Sequence, residues 1–104
     1  MILLTLSLVV LIIQKRVLIR GEYKSVMGVM DKLSCYCFNA GYVRVSDTEK
    51  IPVCFDNIET NNEINCSNIS IKGKYIEKTT GEDSINSCKF GAMKFFEASS
   101  FKCN

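Results

Sequence analysis

The feature that most constrains this chain is its cysteine load, because all six cysteines fall within the 84 residues from 21 to 104. Such a density belongs to small domains of oxidising compartments, where bridges reinforce a core that the chain is too short to build alone. With 104 residues in total, one domain is the expectation. Each bridge would contribute about 2–4 kcal/mol, mainly by restricting the unfolded chain. The absence of histidine is the second constraint. It removes imidazole-based triads, His-ligated zinc and histidine acid–base chemistry. Hydrophobic residues at 47% and charged residues at 23% describe an ordinary globular balance. A net charge of +2 gives no strong pull towards nucleic acid.

The apolar residues are unevenly spread. Residues 1–13 read MILLTLSLVVLII and are followed at once by Gln14, Lys15 and Arg16. As a helix this run would span roughly 20 Å, short of a ~30 Å hydrocarbon core, so its length suits a signal-peptide h-region. No Lys or Arg precedes it and no small-x-small cleavage site follows it. A retained anchor would, by the positive-inside rule, hold the domain in the cytoplasm, because Lys15, Arg16 and Arg20 follow the run. The cysteines argue the other way, and an extracytoplasmic place (periplasm, cell envelope or secreted) is the expectation. The division expected is a hydrophobic leader helix in residues 1–20 and a cysteine-rich domain in residues 21–104. Membrane association is expected only through residues 1–13.

Within the domain the apolar residues alternate, which is the β period. Residues 22–30 (EYKSVMGVM) predict a first strand with Gly28 as a bend. Residues 35–45, with a bend at Asn39-Ala40-Gly41, and residues 51–55 predict a hairpin across the polar turn SDTEK. Val43, Val45, Ile51, Val53 and Phe55 would form its core side. Residues 56–65 read as a loop or a short helix, and residues 68–78 as the clearest strand, with Gly73 at its centre. Residues 79–91 form a polar loop and residues 93–101 a fifth strand. No stretch offers a long helical period.

Five strands, the second and third in a tight hairpin, resemble the OB-fold. The resemblance rests on Val26-Met27-Gly28-Val29 as the bend of the first strand, and on Tyr42-Val43-Arg44-Val45 and Lys50 to Phe55 as the central hairpin. Ile69 to Tyr75 match the fourth strand and Phe95 to Ser100 the fifth. The fold class implied is all-β, a five-stranded OB-like Greek-key barrel. The leader also resembles those of bacterial envelope lipoproteins, but Gln14-Lys15 stand where the small residue and lipidated Cys would fall. OB-folds often bind oligonucleotides or oligosaccharides on the face of strands two and three. The resemblance therefore points to Tyr36, Tyr42 and Arg44, with Phe38 nearby, as candidate ligand-binding residues.

In that topology Cys35, Cys37, Cys66 and Cys103 would fall near one end of the barrel, with Cys54 leaning towards it and Cys88 at the other. Six cysteines allow fifteen connectivities. Cys66 with Cys103 fits best, and Cys37 with Cys54 fits across the hairpin. The sharper alternative is a zinc site from Cys35, Cys37, Cys66 and Cys103, whose spacing is wrong for paired C-x-x-C knuckles. A redox-active Cys35-Tyr36-Cys37 is weaker still.

Asn65-Cys66-Ser67 and Asn68-Ile69-Ser70 match the glycosylation sequon, which matters only in a eukaryotic secretory host. Lys72, Lys74 and Lys78 alternate on the solvent side of strand four, the pattern of a solvated face. The carboxylates are scattered and no Gly-rich phosphate loop is present. No catalytic residue, metal or cofactor is expected. The function expected is a small extracytoplasmic, disulfide-stabilised binding or structural module whose partner is an unidentified ligand or envelope protein. A single-stranded nucleic-acid-binding OB domain is the first alternative, and a thiol zinc or redox protein the second.

Overall fold

The computed structural model describes residues 16–58, 62–80, 88 and 91–104. The expected leader helix at residues 1–13 and most of the expected loop at 79–91 lie outside the described residues. Five strands close into one barrel in the order β1-β2-β3-β5-β4. They are β1 (Val17–Ser25), β2 (Ala40–Arg44), β3 (Lys50–Cys54), β4 (Asn68–Thr79) and β5 (Ala92–Cys103). Every pairing is antiparallel except β3 with β5. The fold is therefore all-β, and its strand order is compatible with an OB-like barrel. Among the described residues no α-helix occurs, and a 3-10 turn spans Lys32–Cys35.

The first strand differs from expectation. It starts at Val17, inside the stretch assigned to the leader, and pairs with β4 from Val17↔Gly73 to Glu22↔Asn68. Ile19 and Tyr23 point inward and are buried, whereas Leu18 lies outward and is 55% exposed. An apolar residue on each face hid the alternation behind the preceding apolar run. The alternation read at residues 22–30 belongs partly to a turn: Gly28 adopts φ 79°, and Met30 is 93% exposed. At Gly21 the strand approaches β2 so closely that a Cβ would overlap the Arg44 carbonyl oxygen.

Strand two is also shorter than the expected residues 35–45. Asp31 accepts a hydrogen bond from the Leu33 N–H at 2.9 Å and starts the 3-10 turn. Asp56 then takes the next two free donors, the N–H groups of Phe38 and Asn39, at 2.9 and 2.8 Å. These side-chain acceptors satisfy backbone donors that a sheet would otherwise have to pair, and the aromatic pattern of Tyr36 and Phe38 does not become strand.

The hairpin matches expectation, with Val43, Ile51, Val53 and Phe55 buried and Val45 packed against them. Ile69, Ile71 and Phe96 complete the barrel interior, and Phe55 meets Tyr23 and Phe101 edge to face at 5.3 and 5.4 Å. A second cluster, Leu33, Tyr36, Cys37, Ala40, Cys54 and Phe95, is separate from that interior. It forms where the 3-10 turn covers the outward side of β2, β3 and β5.

Gly73 is a bend, as its central position in the fourth strand implied. The β4–β5 register shifts between Lys72 and Gly73, leaving Ser99 as the extra residue of a bulge. The Ser99 hydroxyl donates to the Lys72 carbonyl at 3.0 Å. A Cβ on Gly73 would strike the Glu97 carbonyl and the Phe96 ring. Gly73→Ala is expected to cost about 1–3 kcal/mol, the range for steric overfilling, measured as a fall in the urea midpoint at unchanged m.

All six cysteines are bridged. Cys66 pairs with Cys103 and Cys37 with Cys54, with Cα separations of 5.5 and 5.8 Å. Cys35 pairs with Cys88 at 5.3 Å, which corrects the placement of Cys88 at the end away from Cys35. It also corrects the gathering of Cys35, Cys37, Cys66 and Cys103 at one end. The β4–β5 hairpin runs on beyond Gly73 and returns alongside the 3-10 turn, where the Tyr36 hydroxyl donates to the Gly91 carbonyl at 2.7 Å. Cys35 and Cys37 thus staple the second cluster, whereas Cys66 packs against the barrel interior. Replacing Cys66 and Cys103 together by Ala opens a loop of 37 residues. The expected loss is about 4 kcal/mol in the chain-entropy model, read from urea unfolding.

Candidate ligand-binding face

The outward residues of β1, β2 and β3 lie in rows set by register. Glu22 stands opposite Arg44 and Arg44 opposite Lys50; Lys24 stands opposite Tyr42 and Tyr42 opposite Pro52. Asp31 reaches over these rows from the turn that follows β1. Together with Val26, the charged residues and Tyr42 enclose a cavity of about 390 Å³. Its lining holds three cations, Lys24, Arg44 and Lys50, and two carboxylates, Glu22 and Asp31.

Two internal bonds order this lining. The Tyr42 hydroxyl donates to Asp31 Oδ1 at 2.7 Å, the same oxygen that accepts from the Leu33 N–H. Arg44 Nη2 sits 3.6 Å from Glu22 Oε1 in an exposed pair, a geometry that contributes little stability. Burial pushes the Tyr42 hydroxyl up to about 12, and the hydrogen bond to Asp31 and its negative charge add to the rise. Lys24 and Lys50 have no ion pair among the described residues. The face therefore offers free ammonium groups beside a carboxylate pair whose members are already engaged.

Tyr42 and Arg44 thus sit side by side on one face. Tyr36 does not join the lining: it is buried in the second cluster, tilted against Phe95 with ring centroids 6.4 Å apart. Phe38 is 70% exposed and lies outside this cavity as well. Sequence reasoning missed Glu22, Lys24, Asp31 and Lys50. The first two arrive through a strand whose start was misplaced, and Asp31 through a turn. The available signal was Asp31 itself, a capping residue two positions before the apolar Leu33.

A larger open cleft of about 870 Å³ lies around the bulge, bordered by Arg16, Asn57, Lys74, Tyr75 and Glu97 among others. Cys37, Cys54 and Asp56 approach one another within 4.8 Å, but the two sulfurs are bonded to each other and Asp56 serves the Phe38 and Asn39 N–H groups. The four cysteines considered for zinc are divided among three bridges. Cys35 and Cys37 are joined to different partners, not to each other.

At the barrel mouth Tyr23 is buried with its hydroxyl unpaired. Burial raises its phenol well above the ordinary value, against a smaller lowering by the neighbouring Ser25 hydroxyl and with a still smaller rise from the charge of Glu63. Both raised phenols hold their protons in the folded state at pH values where the unfolded chain, near 10, loses them. Their stabilising contribution is complete below about pH 10 and falls as pH rises from there towards the folded values. Tyr42→Phe is expected to remove an ionisation near 12 from the ultraviolet titration. It should also flatten the decline in stability above about pH 10, measured by urea unfolding at a series of pH values.

No protein-family model, no curated protein and no solved structure matches this chain.

Proposed function

We propose that this protein is an OB-like binding module that works outside the cytoplasm and takes a polar ligand carrying both charges, such as a peptide segment, on the face of Tyr42 and Arg44. The observation that carries this reading is the mixed lining of the cavity, with Lys24, Arg44 and Lys50 set against Glu22 and Asp31. A groove for a nucleic-acid backbone would be uniformly basic and would leave its aromatic ring free to stack. Tyr42 is instead half-buried and tied to Asp31. Three bridges in so small a domain argue for an oxidising environment. The apolar run of residues 1–13, of signal-peptide length, is consistent with export. The fold alone assigns no function, so the side chains on this face carry the proposal.

Two measurements test it. The full chain, expressed with its own leader in a secreting host, is expected outside the cytoplasm with no free thiol after denaturation. A folded cytoplasmic protein with six free thiols overturns the location. Titration of the labelled protein with a random tetrapeptide mixture should shift the amide signals of Lys24, Tyr42, Arg44 and Lys50, and Arg44→Ala should abolish those shifts. Saturable binding of an oligodeoxythymidine at physiological salt that is lost in Tyr42→Ala would move the face to the nucleic-acid class.

A further inference from the structure

A second face of the barrel is strongly basic. Where β4 lies between β1 and β5, its outward residues form two rows. Arg20, Ser70 and Lys102 stand side by side in one, and Leu18, Lys72 and Ser100 in the next. All of these but the half-buried Ser70 are exposed. The inward partners Ile19, Ile69 and Ile71 are buried, which fixes the orientation. Lys72 therefore has Arg20 and Lys102 on its two diagonals, about 7–8 Å away across the strands. Neither row contains a carboxylate. The nearest ones are occupied or displaced: Glu22 pairs with Arg44, and Glu97 stands opposite Lys74 beyond the bulge.

Lysines on a strand commonly guard an exposed edge against pairing. Here that explanation fails, because β4 is paired on both sides from Asn68 to Gly73. Like charges on neighbouring strands repel and lower stability. The arrangement thus gathers like charges without protecting an edge. Ser70 fixes part of it, since its Oγ accepts from Arg20 Nε at 3.1 Å and from Asn104 Nδ2 at 3.0 Å.

We propose that this β1–β4–β5 face docks on an anionic membrane surface, with Arg20, Lys72 and Lys102 on lipid phosphates and Leu18 pressed into the headgroup layer. Charge complementarity is one support. The other is the path of the chain. The apolar run of residues 1–13 is joined to β1 through Gln14, Lys15 and Arg16 alone, so the barrel emerges from that run by the strand that carries Leu18 and Arg20. A basic cluster directly beside an apolar segment is the arrangement that anionic lipid attracts. Leu18 adds an exposed aliphatic group among the cations, which a soluble polyanion would leave unused. This face is distinct from the Tyr42–Arg44 cavity, and its occupancy does not depend on what that cavity binds.

The chain has no tryptophan, so Leu18→Trp gives a single fluorescent reporter in the full-length protein. Vesicles of phosphatidylcholine containing one-third phosphatidylglycerol should shift its emission to the blue far more than phosphatidylcholine alone, and salt should reverse the difference. Adding Lys72→Glu and Lys102→Glu should weaken binding to the anionic vesicles by more than about tenfold, since each cation lost counts for about fivefold. The thermal midpoint should not fall, and the weak partition into neutral vesicles should stay unchanged. Equal shifts with neutral and anionic vesicles, or a charge-reversed variant that keeps the anionic preference, overturn the proposal. Tighter binding of heparin than of anionic vesicles at matched anion concentration also overturns it, in favour of a soluble polyanion.

Discussion

The barrel closes because β1 pairs along both edges, with a different partner on each. It runs with β4 from Val17 to Glu22 and with β2 from Glu22 to Ser25, so Glu22 belongs to both ladders. Next to that residue, at Gly21, the Arg44 carbonyl oxygen occupies the space of a missing side chain. Everything else follows from the two halves of this strand. Ile19 and Tyr23 point into one interior from either side of Gly21. Outward, Leu18 and Arg20 on the first half belong to the basic face, whereas Glu22 and Lys24 on the second half belong to the mixed-charge cavity. The two surfaces argued for function meet on β1, between Arg20 and Glu22.

A barrel of this size has a thin interior, and the chain adds a second apolar cluster outside it rather than enlarging the first. Leu33, Tyr36 and Phe95 belong to that cluster, and two of the three bridges anchor it. Cys37–Cys54 ties the residues just after the 3-10 turn to β3, and Cys35–Cys88 ties the turn itself to the return of the β4–β5 hairpin. The consequence reaches the cavity. Asp31 caps that turn and also accepts the Tyr42 hydroxyl, so the position of the carboxylate over the sheet depends on how firmly the turn is stapled. Disulfides here hold the Tyr42–Asp31 arrangement in shape as well as stabilising the chain.

Much of this was legible in the residues, and the remainder was hidden for identifiable reasons. The hairpin of β2 and β3 and the strand β4 could be read because one face is buried and the other wet, which writes a period of two into the sequence. Tyr42 and Arg44 followed from that period. The start of β1 did not, because the exposed Leu18 is as apolar as the buried Ile19, and no period survives beside a run of aliphatics. Residues 35–39 looked like strand from their aromatics. Their conformation is decided by Asp31, Asp56 and two bridges, and Asp56 and the bridge partners all lie at least 17 residues away in sequence. Local propensity loses to such contacts. Tyr36 was assigned to a surface for the same reason and is in fact part of a core.

Charge was the least legible property, because composition averages over faces that register separates. Thirteen cations and eleven anions leave a net +2, which argues correctly against a chain that is basic throughout. The cavity at Tyr42 matches that average, with both signs interleaved. The β1–β4–β5 face does not, since Arg20, Lys72 and Lys102 gather around Ser70 with no carboxylate in their rows. Alternation along β4 shows only that its lysines point outward. Whether they stand alone or clustered depends on which residues of β1 and β5 lie beside them. That depends in turn on the bulge at Ser99, which shifts the β5 register by one residue and brings Lys102 rather than Phe101 to the outer surface. One inserted residue thus converts a dispersed charge pattern into a concentrated one.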